Sequence, residues 1–329
     1  MATNYKFFNT EEKFELKNKK DTCAALYHHT NLRSDNRIYP CCRYKTQLQT
    51  FDGDVDAILH SDQYNKLRES WTIDDPNCAK CKYEEQQIGK TSLRESFNES
   101  YDVDNVELHD MEIGFDNICD LACDGCWEDR SSTWWVKKNP GKSPKLGVMH
   151  SKELTNIPQT IQSVSFLGGE PLMTNRHRKF LESFDDLSNL DVTYFTNGMH
   201  KLIPRDIELM DQCKRIKFFF SIDAVGKLGE QVRSGSKWEV VEETIAQISP
   251  LYESQIHSTI HINNWRGLPD LAQWTKQYDK WSFNILTYPK HLDIVNLTDK
   301  DKEEFVYILD NNDIPMTNWL KKHLKGEKQ

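Results

Sequence analysis

The stretch "CDLACDGCW", residues 119–127, sets Cys119, Cys123 and Cys126 in the spacing C-x3-C-x2-C. Thiolates are soft ligands that suit iron–sulfur clusters, zinc and copper(I). Three of them are one short of the four that close a structural zinc site. A cubane cluster presents four irons to outside ligands, so three thiolates leave one iron open to a small molecule. A zinc ion with a fourth ligand from elsewhere, such as a nearby histidine, is the plainer alternative. The spacing alone leaves both open.

Cys23, Cys41, Cys42, Cys78 and Cys81 form a second group, with "CAKC" a tight C-x2-C pair. The last of the nine cysteines, Cys213, stands apart and reads as a small buried hydrophobe. The opening "MATNYKFFNTEEKFELKNKK" carries no apolar run of the kind a secretory signal needs. Clustered cysteines without such a signal argue for a reducing, cytoplasmic setting and for metal or redox chemistry rather than disulfides. No stretch nears the length of apolar sequence that spans a membrane. The net charge of −9 weighs against a large nucleic-acid surface, because phosphate binding wants clustered Lys and Arg.

The elements that must carry these residues come next. With 329 residues the chain suits two domains, or one large barrel with an appendage. From about residue 105, short β-like runs alternate with helical stretches. The runs are "NVELHDMEIGF", "SVSFLGGEPL", "DVTYFTNG", "RIKFFFSIDAVG", "QIHSTIHINN" and "WSFNILTYP". Six β/α units in series predict an α/β fold with a parallel sheet, either open and doubly wound or a partial barrel. The first hundred residues differ. "TCAALYHHTNLRSDNRIYPCCRYKT" predicts a hairpin around "RSDNR". "DVDAILHSDQYNKLRES" places Val55, Ile58, Leu59 and Leu67 near helical spacing. So small a segment gains from a metal staple. The segment "VKKNPGKSPKLG", 136–147, predicts a mobile loop, and the tail from about 298 is helical in character.

The cysteine triad follows the first β run of the array, and the later runs carry further motifs in order. These are "LGGEP" (167–171), "TNG" (196–198), "SIDA" (221–224) and "VRSGS" (232–236). This ordered set resembles the radical SAM superfamily over roughly residues 105–290. The resemblance implies a partial (β/α)6 TIM-like barrel. It also implies a 4Fe–4S cluster on Cys119, Cys123 and Cys126 whose open iron is chelated by S-adenosylmethionine. Gly168 and Gly169 would allow a close backbone approach, and Glu170 would accept from the SAM ammonium. Ser221 and Asp223 would meet ribose hydroxyls, Arg233 would pair with the SAM carboxylate, and Asn197 would line the same pocket. Plainer roles stand beside these: a turn for Gly168 and Gly169, a helix cap for Ser221 and Asp223. One departure is Gly125, where many family members carry an aromatic residue; Trp127, Trp134 and Trp135 substitute for it or belong to the core.

"C…SDNRIYPC" resembles the start of the SPASM and twitch auxiliary-cluster domains, with Asn36 where a glycine is usual. Asn tolerates the left-handed turn conformation that glycine would supply. The resemblance implies a second Fe–S cluster, in 4Fe–4S form, on Cys23, Cys41, Cys78 and Cys81. Cys42 would be the spare, although it and Cys41 could exchange roles. A structural zinc knuckle is the alternative. The module precedes the barrel here, whereas in the family it follows.

The implied organisation is therefore a twitch-like hairpin-plus-helix module over 1–100, a barrel over 101–290 and a helical tail over 291–329. The implied activity is reductive cleavage of S-adenosylmethionine to a 5′-deoxyadenosyl radical, which abstracts hydrogen from a substrate. Relatives with such modules point to a peptide or protein substrate, and to an electron donor such as flavodoxin or ferredoxin. A nucleoside or other small molecule is the alternative substrate. A non-catalytic zinc-binding interaction protein is the alternative of another class.

The run "QIHSTIHINN" makes one further expectation. Side chains on a strand alternate between faces. Ile256, Ser258, Ile260 and Ile262 form an apolar set, and His257, Thr259, His261 and Asn263 a polar one. The isoleucines should pack on helices. His261 and Asn263, nearest the C-terminal end, should face the cofactor or substrate, with His257 deeper.

Overall fold

Backbone pairing and side-chain alternation together fix which residues reach the strand ends. The computed structural model describes residues 22–86, 91–278 and 280–326; the N-terminal run 1–20 read above for a secretory signal lies outside them. In chain order the strands are β1 (His29–Leu32), β2 (Arg37–Tyr39), β3 (Gln49–Thr50), β4 (Asp110–Gly114), β5 (Ala122–Cys123), β6 (Ser163–Leu167), β7 (Asp191–Thr196), β8 (Arg215–Ser221), β9 (Arg233–Ser234), β10 (Glu253–Ile260) and β11 (Trp281–Ile285). The six β-like runs of the sequence correspond to β4, β6, β7, β8, β10 and β11, with helices between them. Parallel pairing joins β1, β4 and β6, and likewise β8, β10 and β11, so the α/β class is observed. The chain divides into two units. The first runs to Asn117 and takes in Leu146–Thr193 and Glu208–Ile216; the second holds Ile118–Lys145, Tyr194–Ile207 and the chain from Lys217.

In the first unit, β4 lies between β1 and β6, and β2 and β3 add antiparallel beyond β1. Met111 and Ile113 of β4 point to the same side as Val164 and Phe166 of β6, and all four are fully buried. The helix Arg176–Leu181 covers them, with the Phe180 ring 5.7 Å from Phe166. The opposite face is buried too, but polar. His29 bonds Asp110, and Asn31 bonds Glu112, across the β1–β4 register. Burial opposes the His29 cation, but Asp110 and Glu112 outweigh it and raise its pKa. Burial likewise raises the Glu112 carboxyl.

The predicted hairpin is present as β1 and β2, and Asn36 in its turn has φ +69°, as the left-handed position requires. Its outer strand does not stop there: β1 pairs in parallel with β4, so the hairpin extends the strands of the α/β array. Cys23 lies before a short helix, Ala25–His28, and not on a hairpin strand. Of the residues read at helical spacing, Ile58 and Leu59 lie on the helix Ala57–His60 and Leu67 on the helix Asp62–Ser70, while Val55 precedes both. Ser61 causes the break. Its extended backbone ends the first helix, and its side chain caps the second by accepting from the Tyr64 N–H.

In the second unit, Ile256, Ser258 and Ile260 of β10 are fully buried, while His257 and Thr259 on the other face are half-buried. The alternation expected of this strand therefore holds as far as Ile260. The tail is helical as expected, in Asp299–Asn311 and Thr317–Leu324, which bury Phe305, Leu309, Leu320 and Leu324. Among the described residues, no helix is long and apolar enough to cross a membrane.

Candidate functional site

The cysteine loop of the second unit is held at both ends by short-range hydrogen bonds. Ser131 caps the helix Ser132–Lys138 by accepting from the Trp134 N–H, and donates to the Leu121 carbonyl at 2.6 Å. Thr133 donates to the Cys119 carbonyl at 2.6 Å, and the Trp134 indole to the Cys123 carbonyl at 2.8 Å. On the other side, β5 and β9 pair antiparallel with Cys123 opposite Arg233. Gly235 permits this approach. Its φ is +103°, and a Cβ there would lie 2.9 Å from the Asp120 carbonyl oxygen.

Cys119 is buried, and Cys123 and Cys126 are half-buried. Burial pushes the Cys123 thiol up to about 11, although Arg233 opposes it, and raises Cys126 as well. Left to themselves these groups stay protonated at neutral pH. A metal cation inverts that balance and holds them as thiolates. The Leu121 N–H stands 3.5 Å from the Cys119 sulfur and the Asn197 amide 3.9 Å from it, donors of the kind that stabilise sulfur ligands. Among the described residues, no three His, Cys, Asp or Glu side chains converge closely enough to share one ion. A cubane asks less of them, because its thiolates stand apart on separate irons.

Arg233 is the loop's principal cation. Its Nη1 donates to Asp223 Oδ2 at 2.8 Å, and its buried Nε has no hydrogen-bond partner among the described residues. Burial works against its charge, but Cys123 and Asp223 more than offset that and raise its pKa. The other Asp223 oxygen accepts the Thr259 N–H at 2.7 Å. Asp223, expected at the ribose, thus has both oxygens engaged within the protein, and Arg233 is pinned rather than free to swing. Ser221 ends β8 half-buried, in register with His257.

Asn197 bonds Asp120 at 2.8 Å, and His200 reaches the other Asp120 oxygen at 3.2 Å. Burial raises the Asp120 carboxyl, but His200 and Asn197 outweigh it and hold it below the ordinary value. Asn263 donates to Asp124 at 2.7 Å. His261 and Asn263 fall past the end of β10, where alternation no longer governs direction, and a tight turn aims them: the His261 N–H donates to Asn264 Oδ1 at 2.8 Å, and the Asn263 N–H to His261 Nδ1 at 3.3 Å. Burial lowers the His261 pKa, against Asp223 and Asp124. His257, farther back on the strand, meets Ser282 at 2.9 Å and Asn284 at 3.0 Å.

In the first unit, the GGE segment is shaped by its own chain. Gly168 has φ +113°, and a Cβ there would lie 2.6 Å from the Asp116 carbonyl oxygen. The Gly169 N–H donates to that same oxygen at 3.0 Å. Glu170 is buried, and its carboxylate accepts the Leu172 N–H at 3.1 Å.

The N-terminal cysteines lie near one another in this unit. Cys41, Cys81 and Cys78 each act electrostatically on Cys23, and Cys23, Cys41 and Cys81 pack on one apolar cluster with Leu93 and Phe97. Asn98 and Arg94 pin the Cys23 segment: the Ala24 N–H donates to Asn98 at 2.7 Å, and Arg94 to the Thr22 carbonyl at 2.8 Å. Arg43 donates to the Cys81 sulfur and Trp71 to the Cys78 sulfur, each at 3.3 Å. Burial raises the Cys23 thiol, Cys41 to about 12 and Cys78 to about 11. Cys42 faces elsewhere. Its thiol hydrogen-bonds the Glu112 carboxyl and has its pKa raised by burial, although the residue as a whole is exposed.

Sequence reasoning gave no role to Asp120, Asp124 or Gly235, and did not foresee that Trp134 would hold the Cys123 carbonyl. The first two had a signal, since an aspartate directly follows both Cys119 and Cys123. Such an aspartate projects from the loop that its cysteine anchors, and can tie it to neighbouring segments.

No family model and no curated protein matches the chain. Among solved structures it is similar to anSMEcpe with bound AdoMet, at 16% identity and a TM-score of 0.45, over 67% of this chain and 63% of that one. It is also similar to Streptococcus suis SuiB bound to S-adenosylmethionine, at 16% identity and a TM-score of 0.38, over 61% of this chain and 43% of that one. For SuiB bound to the precursor peptide SuiA the identity is 19% and the TM-score 0.37, over 61% and 46%. The chain thus spans less than two thirds of the length of each of these proteins.

Proposed function

We propose that this chain is a radical SAM enzyme with a second, auxiliary iron–sulfur cluster, acting on a peptide or protein in a reducing, cytoplasmic setting. One observation carries the reading. The second unit holds Cys119, Cys123 and Cys126 and no other cysteine, on a clamped loop beside Arg233, whose buried Nε has no partner among the described residues. Three thiols and a poised donor suit a cluster with an open iron and a cofactor that brings a carboxylate.

The chain's own residues bind and orient. Asp223 fixes the plane of the Arg233 guanidinium through one N–H, leaving other N–H groups of that plane to meet a planar carboxylate. Asp120, with Asn197 and His200, holds the start of the cysteine loop, and Asp124 with Asn263 holds its middle. Gly168, Gly169 and Glu170 are assigned to SAM by resemblance, beside the local bonds they make. Held by Cys119, Cys123 and Cys126, a reduced cluster would supply the electron for reductive cleavage of SAM and so the radical chemistry applied to the substrate. Cys23, Cys41, Cys78 and Cys81 would close the auxiliary cluster, leaving it no open iron for SAM. An electron donor of the flavodoxin or ferredoxin type is part of the proposal, and the peptide substrate rests on the family resemblance.

Anaerobic reconstitution followed by iron, sulfide and zinc analysis tests this. The wild type should hold roughly eight irons, counted as two cubanes, and should cleave SAM once reduced. Replacing Cys119, Cys123 and Cys126 with Ala should remove about half the iron and abolish cleavage. Stoichiometric zinc without sulfide would instead support the non-catalytic zinc-binding alternative.

A further inference from the structure

The helix Ser132–Lys138 and the loop after it are unlike the rest of the chain. The helix buries none of its side chains. Between Glu128 and Lys145 stand Arg130, Lys137, Lys138, Lys142 and Lys145 against two acids, in a chain whose net charge is −9. Tryptophans are interleaved with them, and the cations sit over the rings. Arg130 lies 5.7 Å from the Trp127 centroid, Lys137 4.8 Å from Trp134, and Lys145 5.4 Å from Trp135. Among the described residues, Lys137 and Lys142 pair with no carboxylate, whereas Lys138 is taken by Glu128 at 2.6 Å. Tyr288, 68% exposed, stands edge-on to Trp127 and adds apolar surface beside the charges.

The loop predicted to be mobile makes a bond back to the helix. The Trp135 indole donates to the Ser143 carbonyl at 3.1 Å, closing the return segment onto the helix. Trp134 and Thr133 tether the helix to the cysteine loop at the Cys123 and Cys119 carbonyls. A ligand docked here would lie against a positioned surface attached to the candidate catalytic loop. Holding ammonium groups over rings before binding lowers the ordering cost of association.

We propose that this surface docks an acidic segment of the peptide or protein substrate; the identity of the docked chain as substrate rests on the function proposed above. Lys137 and Lys142 would meet its carboxylates, and Trp127 with Tyr288 an adjoining apolar side chain. The positions of the cations favour a peptide over single-stranded nucleic acid. Base stacking needs open aromatic faces, and here a Lys or Arg lies over one face of each of Trp127, Trp134 and Trp135. The chain's net negative charge also repels a long polyanion.

Fluorescence anisotropy with the reconstituted holoenzyme tests the proposal. The probes are a fluorescein-labelled peptide of repeated Glu-Gly-Leu, the same peptide with Gln for Glu, and labelled oligouridylate. The acidic peptide should bind, more weakly as salt rises, and the Gln peptide should not. The double variant Lys137→Glu, Lys142→Glu should weaken binding at least about tenfold through like-charge repulsion, with iron content unchanged. Lys137→Gln, Lys142→Gln should give a smaller loss. Equal binding by wild type and both variants, no binding of the acidic peptide, or tighter binding of oligouridylate would overturn it. The enzyme reading fails separately, through wild-type protein that lacks iron and sulfide or does not cleave SAM.

Discussion

Arg233 and Asp223 form a hydrogen-bonded ion pair of 2.8 Å, with side chains only 15% and 9% exposed, directly beside the cysteine loop. Truncating one member of a buried pair leaves the other charge uncompensated, which costs more than the intact pair contributes. Asp223→Asn should therefore destabilise the protein by about 3 kcal/mol, read by anaerobic urea unfolding. SAM affinity should fall as well, because the guanidinium loses its orientation. Asp223→Asn combined with Arg233→Met should cost less than the sum of the single changes. Additive losses would show that the pair does not act as a unit.

Cys41 and Cys42 are neighbours with different surroundings. Cys41 packs with Cys23 on the apolar cluster that includes Cys81, while the Cys42 thiol meets Glu112. Cys41→Ser should lower iron content by about half, by the count of two cubanes, and Cys42→Ser should leave it unchanged. In the intact holoprotein, iodoacetamide should label Cys42 before any of the other N-terminal cysteines, as peptide mass mapping would show. Loss of iron in the Cys42 variant would exchange the two assignments.

Asn263 reaches the cysteine loop through Asp124. Asn263→Ala removes this tie and leaves Asp124 to solvent. The expected result is faster amide hydrogen exchange over residues 119–127 and SAM binding weakened by roughly tenfold, the worth of one good polar contact. Unchanged exchange would mean that other bonds hold the loop alone.

Burial lowers the pKa of His257 and of His261 below the ordinary histidine value. The unfolded chain then takes up protons on these residues before the folded protein does. Their contribution to stability is complete above about pH 6.5 and is lost as pH falls through that value toward their folded pKa values. His29 works in the opposite direction, because Asp110 and Glu112 raise its pKa against burial. Thermal stability should fall as pH drops from about 7 to about 5.5, and His257→Gln should flatten the slope. A steeper slope in that variant would contradict the assignment.

The six strands of the β/α array were legible because alternation and strand-end motifs are local signals. The same holds for the turn at Asn36. The pairing of β1 with β4 was not legible, because it joins residues 81 positions apart and leaves no local mark. Asp223 and Arg233 were each proposed for the cofactor pocket from the sequence, but their attachment to each other was not foreseen. Sequence gives a residue's chemistry, whereas its partner is chosen by competition among every group the fold brings near. Alternation along β10 held to Ile260 and then gave way to the turn at Asn264, whose side chain and not the pleat decides where His261 and Asn263 point.

The place of β1 beside β4 has a consequence for dissecting the protein. A chain shortened to begin near residue 105 would still contain the cysteine triad, yet β4 would lose its neighbour along one whole side. Its N–H and C=O groups there would be left without partners, and the Asp110 and Glu112 carboxyls would lose His29 and Asn31. A bare, flat strand edge recruits other chains. Such a fragment should precipitate or self-associate even with Cys119, Cys123 and Cys126 intact, so aggregation of a shortened form would say nothing about whether the triad can assemble the proposed cluster.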